Sequence, residues 1–77
     1  METLKPEQIE QAQVFINNTY PGFYVIEDIF GDSWSDIVQT EFYYAQKFRT
    51  TVMRRLFENI ECHYQANLKR HLYMVHP

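Results

Sequence analysis

The chain has 77 residues, enough for one small domain; its 45 % hydrophobic and 22 % charged residues are typical of a folded domain and exclude a disordered tail. The net charge of −3 argues against strong non-specific binding to nucleic acid. A single cysteine, Cys62, excludes an intramolecular disulfide and favours a reducing, cytoplasmic compartment.

The charges are divided unevenly along the chain. Residues 1–41 carry eight acidic side chains and one lysine, a balance of −7, whereas residues 42–77 carry two acidic and six basic side chains, a balance of +4. We therefore expect a polarised surface whose basic side can meet a polyanion, although charges that only solvate the exterior are the alternative. The N-terminal residues do not have the pattern of a signal peptide, and no apolar run approaches the roughly 20 residues that span a bilayer, so we expect no membrane partner.

The first third of the chain predicts a helix followed by a strand. Residues 1–5 are expected to be frayed, and Pro6 suits the first turn of a helix that ends near Asn17. The apolar side chains of this helix recur at helical spacing: Ile9, Ala12, Phe15 and Ile16. Residues 23–25 are aromatic and β-branched, which predicts a short strand.

Two short helical segments are predicted next. Residues 26–30 form the first, and Gly31 ends it because glycine readily takes a positive φ. Asp32 or Ser33 can cap the second segment, which covers residues 34–38.

The stretch from Thr40 to Phe57 predicts one long amphipathic helix with Thr40 as its cap. Its apolar stripe, expected to face the core, has spacings of three and four: Phe42, Ala45, Phe48, Val52 and Leu56. The opposite face carries aromatic, amide, hydroxyl and cationic groups and no acid, and such groups contact phosphates and base edges in DNA. These candidate DNA-binding residues are Tyr43, Gln46, Lys47, Thr50 and Arg54, flanked by Arg55. The alternative is an ordinary solvated helix surface.

Residues 60–75 predict a β-hairpin, because two runs with strand-like alternation flank a short polar turn. The strand near residue 23 can add to this hairpin as a third strand. Lys69 and Arg70, followed by His71, form a basic cluster at the start of the second strand. They either contact a phosphate or block edge-to-edge pairing of strands.

The predicted order of helix, strand, helices and terminal hairpin is that of a winged helix-turn-helix, a small α+β fold, here as one domain over residues 1–77. In that fold the last helix of the core, here 40–57, lies in the DNA major groove and the hairpin, here 60–75, is the wing. The chain also carries a pattern of a turn glycine, an aromatic strand, an acidic segment, a tryptophan, a long helix and a hairpin: Gly22, Phe23–Val25, Asp28–Phe30, Trp34, Phe48, Val52 and Tyr73.

In this pattern, from about residue 12 to 75, the chain resembles a family of short bacterial and mobile-element proteins of unassigned function that are similar to winged-helix domains. The resemblance implies DNA binding without naming a target. That family carries a glycine near the position of Gln46, which this chain lacks, so its helix packing must differ.

We therefore expect a small transcriptional regulator or accessory factor that binds double-stranded DNA as a homodimer. The rival expectation is a protein-interaction module, such as a phage or plasmid inhibitor or adaptor. It would use the acidic N-terminal half and exposed tyrosines at positions 20, 24 and 44. Tyr43 and Tyr44 are adjacent, so both cannot be fully buried in a helix.

We expect neither catalysis, a bound metal nor a cofactor. Cys62 and His63 are adjacent and would point to opposite faces of a strand, which does not match the paired spacing of structural zinc ligands. Glu27 and Asp28 begin a short helix, where the helix dipole already favours acids.

Overall fold

A computed structural model of the protein describes residues 2–65 and 70–77. It is a small α+β domain in which the helices pack against a three-stranded antiparallel sheet. In chain order the elements are α1 (Pro6–Asn17), β1 (Gly22–Tyr24), α2 (Ile26–Phe30), a 3-10 turn (Gly31–Ser33), α3 (Trp34–Thr40), α4 (Tyr44–Met53), β2 (Ile60–Gln65) and β3 (Arg70–Val75).

β3 is the central strand of the sheet, whose order is β1–β3–β2. Val75 lies opposite Gly22 on one side and opposite Ile60 on the other, which sets the register of both pairs. The predicted pairing of the two C-terminal strands is therefore confirmed. The predicted addition of the first strand as a third strand is confirmed as well, and that strand begins one residue earlier than expected.

Phe48 of α4 lies at the centre of the core and is completely buried. Its ring centroid lies 5.6 Å from that of Phe30, 5.2 Å from that of Phe57 and 5.1 Å from that of Tyr73. Aromatic pairs at such separations add about 0.5–1.5 kcal/mol each beyond the area they bury. One side chain therefore joins α2, α4, the following loop and the sheet.

The first half of the chain follows its local signals closely. α1 has the predicted bounds, and Ala12 and Ile16 are its buried side chains. Gly31 ends α2 with a φ of 57°. Ser33, however, makes no capping hydrogen bond through its side chain, because a 3-10 turn leads directly into α3.

The N-terminal segment does not fray at Leu4, contrary to expectation. Leu4 is buried in the core, and its backbone N–H donates to the hydroxyl of Thr51 in α4 at 2.9 Å. A buried apolar side chain and a long-range hydrogen bond together hold this segment against α4.

The prediction of one continuous helix over residues 40–57 is wrong. α3 ends at Thr40, whose hydroxyl donates to the carbonyl of Asp36 and so does not cap a new helix. α4 begins only at Tyr44, after Tyr43 takes a left-handed conformation with φ 59° and ψ 26°. This break turns Tyr44 into the core, whereas Phe42 is 84 % exposed.

The C-terminal end of α4 has a defined stop that periodicity does not reveal. The N–H of Leu56 donates to the carbonyl of Thr51, and the N–H of Arg55 donates to that of Val52. With Arg55 at φ 60°, these bonds form a Schellman motif. Leu56, expected in the apolar stripe, is consequently half exposed.

Candidate nucleic-acid interface

α4 has a buried face and an outer face, and the outer face contains four of the eight candidate residues. The buried side chains are Tyr44, Phe48, Thr51 and Val52. At helical spacing away from them lie Gln46, Lys47 and Thr50, which are half-buried, and Arg54, which is exposed at the C-cap. We call these four residues the outer face of α4.

Thr51, on the opposite side, holds the helix in place. Its hydroxyl accepts from the N–H of Leu4 and donates to the carbonyl of Lys47 at 2.7 Å. Because Thr51 is fully buried, this contact sets the rotation of α4 and therefore the direction of its outer face. In the sequence, Thr51 only interrupts an apolar pattern, so no local signal marks its role.

The hydroxyl of Thr50 is partly engaged within the helix. It donates to the carbonyl of Gln46 at 3.0 Å, so its proton is committed and its lone pairs remain available. Toward a ligand, Thr50 can therefore accept a hydrogen bond or present its methyl group. The amide of Gln46 and the ammonium of Lys47 supply the donors beside it.

Tyr43 departs from the predicted face, because it precedes α4 and does not continue its helical spacing. Its carbonyl accepts from the N–H of Lys47 at 3.0 Å, and its side chain is 66 % exposed. A left-handed conformation is uncommon for a non-glycine residue. The exposed side chains of Tyr43 and Phe42 together form an aromatic rim at the N-terminal end of the outer face.

Arg55 also departs from the face. It lines an open cavity of about 480 Å³ between the end of α4 and β2, together with Met53 and His63. Lys69 lies outside the described residues, and so does the side chain of Arg70; of the predicted wing contacts only the backbone of Arg70, at the start of β3, is described.

Burial and charges close to α4 shift the pKa values of Tyr44 and His71. Burial, with a smaller contribution from the carboxylate of Glu41, raises the pKa of Tyr44 to about 12. Burial also lowers the pKa of His71, and the guanidinium of Arg49 lowers it further. Arg49 therefore lies toward the sheet, while Glu41 places one negative charge near the start of α4.

The expected cluster of exposed tyrosines is only partly present. Tyr44 is 7 % exposed and contacts Phe30 and Trp34, so its predicted role in an interface is wrong. Its burial agrees with the prediction that Tyr43 and Tyr44 cannot both be buried. Tyr20 is exposed, and the hydroxyl of the half-buried Tyr24 donates to the carbonyl of Tyr20 at 2.7 Å.

Burial raises the pKa of the Cys62 thiol, although the charge of Arg49 partly opposes this shift, so Cys62 is a weak nucleophile. Within the residues that the structure describes, no group of three or more His, Cys, Asp or Glu side chains is arranged to hold a metal ion. The helices of that same part of the chain are all too short or too polar to cross a membrane.

The structure thus brings together four of the eight candidate residues, on the outer face of α4. Two of them are cations, Lys47 and Arg54, and the other two offer an amide and a hydroxyl. This combination can contact phosphates and base edges, as the amide of Gln46 can pair with adenine.

Comparison with protein-family models, with curated proteins and with solved structures found no match to this chain.

Proposed function

We propose that the protein binds double-stranded DNA through the outer face of α4, as a small winged helix-turn-helix domain. The order of its elements supports this assignment: a helix, a strand, further helices and two C-terminal strands, with the first strand added to the last. In such domains the last helix before the hairpin is the one that enters the major groove. That helix is α4 in this chain.

The observation that carries the proposal is the chemistry of the outer face of α4. Gln46, Lys47, Thr50 and Arg54 lie away from the buried face, and residues 42–57 include no acidic side chain. An ordinary solvated helix usually mixes both signs of charge, so a surface of cations and neutral donors favours a polyanionic ligand.

The dimensions of α4 limit what it can contact. Ten helical residues extend about 15 Å, which matches roughly four base pairs along a groove. Gln46 and Lys47 occupy the first half of α4, and Arg54 lies at its C-cap, where we expect it to contact a phosphate of the duplex. A contact of this size supports a regulator or accessory factor that uses two copies of the domain on one site.

A salt titration of DNA affinity by fluorescence anisotropy tests the proposal. Lys47→Ala and Arg54→Ala should each weaken binding and lower the slope of log affinity against log salt by about 0.9. The matched control is Ser35→Asp, which makes the same change in net charge at the exposed first turn of α3 and should leave the slope unchanged. Absence of binding by the wild-type protein at low salt would reject the proposal.

A second candidate function is the binding of a protein partner. Exposed apolar side chains flank the outer face of α4 at both ends, with Phe42 before the helix and Met53 and Leu56 at its end. Exposed aromatic and methionine side chains are enriched at protein interfaces, whereas a phosphate contact needs cations or hydrogen-bond donors. A stoichiometric partner whose binding is lost in Phe42→Ala, and kept in Lys47→Ala and Arg54→Ala, would favour this function over DNA binding.

A further inference from the structure

The outer edge of β2 is a free edge of the described sheet. Among the described strands, β2 pairs with β3 on one side only, because β3 is central and β1 lies beyond it. Residues 60–65 contain no lysine and no proline, two residues that commonly protect an edge strand from pairing, and their one acidic residue, Glu61, lies 3.3 Å from His63. An open cavity of about 480 Å³ lies beside this edge and leaves room along it.

The hydrogen bonds of the sheet determine which backbone groups point outward. His76 donates its N–H to the carbonyl of Asn59 at 2.9 Å, and these residues continue the register in which Glu61 faces Met74. Residues of an antiparallel strand alternate between bonding to one neighbour and to the other. Positions 59, 61 and 63 therefore bond to β3, and positions 60, 62 and 64 direct their N–H and C=O groups to the free edge.

The side chains at odd positions of β2 share one face of the sheet, and two of them carry complementary groups. Glu61 and His63 lie on one face of the sheet, with 3.3 Å between Oε2 and Nε2, and both are about half exposed. A second copy of β2, paired antiparallel with Cys62 opposite Cys62, would place each Glu61 opposite His63 of the other copy. These positions form non-hydrogen-bonded pairs, in which side chains come closest.

Other antiparallel registers leave backbone groups unpaired or bring like side chains together. Outward groups at even positions can bond only to even positions of a second copy, so odd shifts leave them unpaired. A shift that aligns Glu61 with Glu61 opposes two carboxylates, and one that aligns His63 with His63 opposes two imidazoles. The register centred on Cys62 alternates carboxylate and imidazole around a square of four side chains.

We propose that two copies of this chain associate through β2 in that register, with a two-fold axis at Cys62 and a continuous six-stranded sheet. The occupant of the edge is therefore a second copy of the chain. A two-fold axis perpendicular to the sheet puts the helices of both copies on the same face. Met53, 67 % exposed beside the edge, lies on that helical side and would add apolar surface to the interface.

Sedimentation equilibrium without DNA tests the association, and so does not depend on the proposed function. Wild type should form dimers, and Glu61→Lys should raise the dimer dissociation constant about tenfold, because the change acts on two symmetric pairs. The double variant Glu61→His with His63→Glu should restore part of the association, since it exchanges the groups within each pair but removes the carboxylate that lies 3.5 Å from Nε2 of His76. Glu58→Lys, the same charge change at an exposed site before β2, is the matched control and should dimerise normally.

Amide hydrogen exchange tests the register itself. The N–H groups of Ile60 and Cys62 should gain protection as protein concentration rises, whereas those of Glu61 and His63 should be protected at every concentration. A monomer at about 1 mM would overturn the proposal. A dimer without added protection at Cys62, or an edge that pairs only with an extended peptide of another protein, would overturn it as well.

Discussion

The hydroxyl of Thr51 accepts a hydrogen bond from the backbone N–H of Leu4, 47 positions earlier in the chain, at 2.9 Å. The same hydroxyl donates to the carbonyl of Lys47, so one buried group connects the N-terminal segment with the turn of α4 that carries part of its outer face. Leu4 fills the core beside this contact. The orientation of the candidate interface therefore depends on a residue that no ligand would touch.

Replacement of Thr51 by valine tests this connection. Valine keeps the shape of threonine but leaves the Leu4 N–H without its partner, which should lower the free energy of unfolding by about 1–3 kcal/mol. Thr51→Ser keeps the hydroxyl and should lose less stability. Urea denaturation followed by circular dichroism measures both, and equal stability of Thr51→Val and wild type would contradict the role of the bond.

Phe48 and Phe42 form a second test, because the periodicity of the sequence places both in one apolar stripe. Phe48→Ala removes a fully buried ring and should lower the free energy of unfolding by about 3–5 kcal/mol. In a domain this small such a loss can abolish folding, so Phe48→Leu should be compared as a milder change. Phe42→Ala, at an exposed site, should change the stability by less than about 0.5 kcal/mol. Thermal unfolding of the variants distinguishes the broken helix from a continuous one, in which Phe42 would be buried.

Arg55 offers a change that should stabilise the protein. Its φ of 60° strains an L-residue by roughly 1–2 kcal/mol but suits glycine, so Arg55→Gly should raise the unfolding temperature. Arg54→Gly is the matched variant, since Arg54 has a φ of −85° and gains no such relief. A lower unfolding temperature for Arg55→Gly than for Arg54→Gly would mean that the Schellman turn is absent.

Stability should fall at alkaline pH because of Tyr44. Burial raises its pKa from the usual 10 to about 12 in the folded protein, so between these values the unfolded chain releases a proton that the folded chain keeps. The resulting stability is fully present below pH 10 and declines as the pH rises toward 12, by up to about 1.4 kcal/mol per pH unit for one group.

Urea denaturation at a series of pH values from 9 to 11.5 measures this decline. Tyr44→Phe should make the decline shallower but not abolish it, because burial also raises the pKa of Tyr73. Tyr20→Phe is the control for loss of an exposed tyrosine hydroxyl. If the free energy of unfolding of Tyr44→Phe declined with pH as steeply as that of wild type, Tyr44 would ionise alike in the folded and unfolded states.

Local patterns in the sequence determined much of the architecture. Pro6 and the apolar positions of α1 define a helix whose bounds were predicted correctly, and Gly31 ends α2 because its backbone accepts a positive φ. Alternation in the two C-terminal strands predicted their pairing. Gln46, Lys47, Thr50 and Arg54 remain on one face because they lie within or directly after the regular part of α4, where helical spacing holds.

The tertiary structure decided where the long predicted helix breaks and which aromatic enters the core. Phe42 and Tyr44 are both large and apolar enough to fill it, and periodicity favours Phe42; only the positions of Phe30 and Trp34 make Tyr44 the buried side chain. Tyr43 then takes its left-handed conformation because the surrounding packing outweighs its local preference. The partnership of Thr51 with Leu4 likewise joins residues far apart in the chain, which no local pattern encodes.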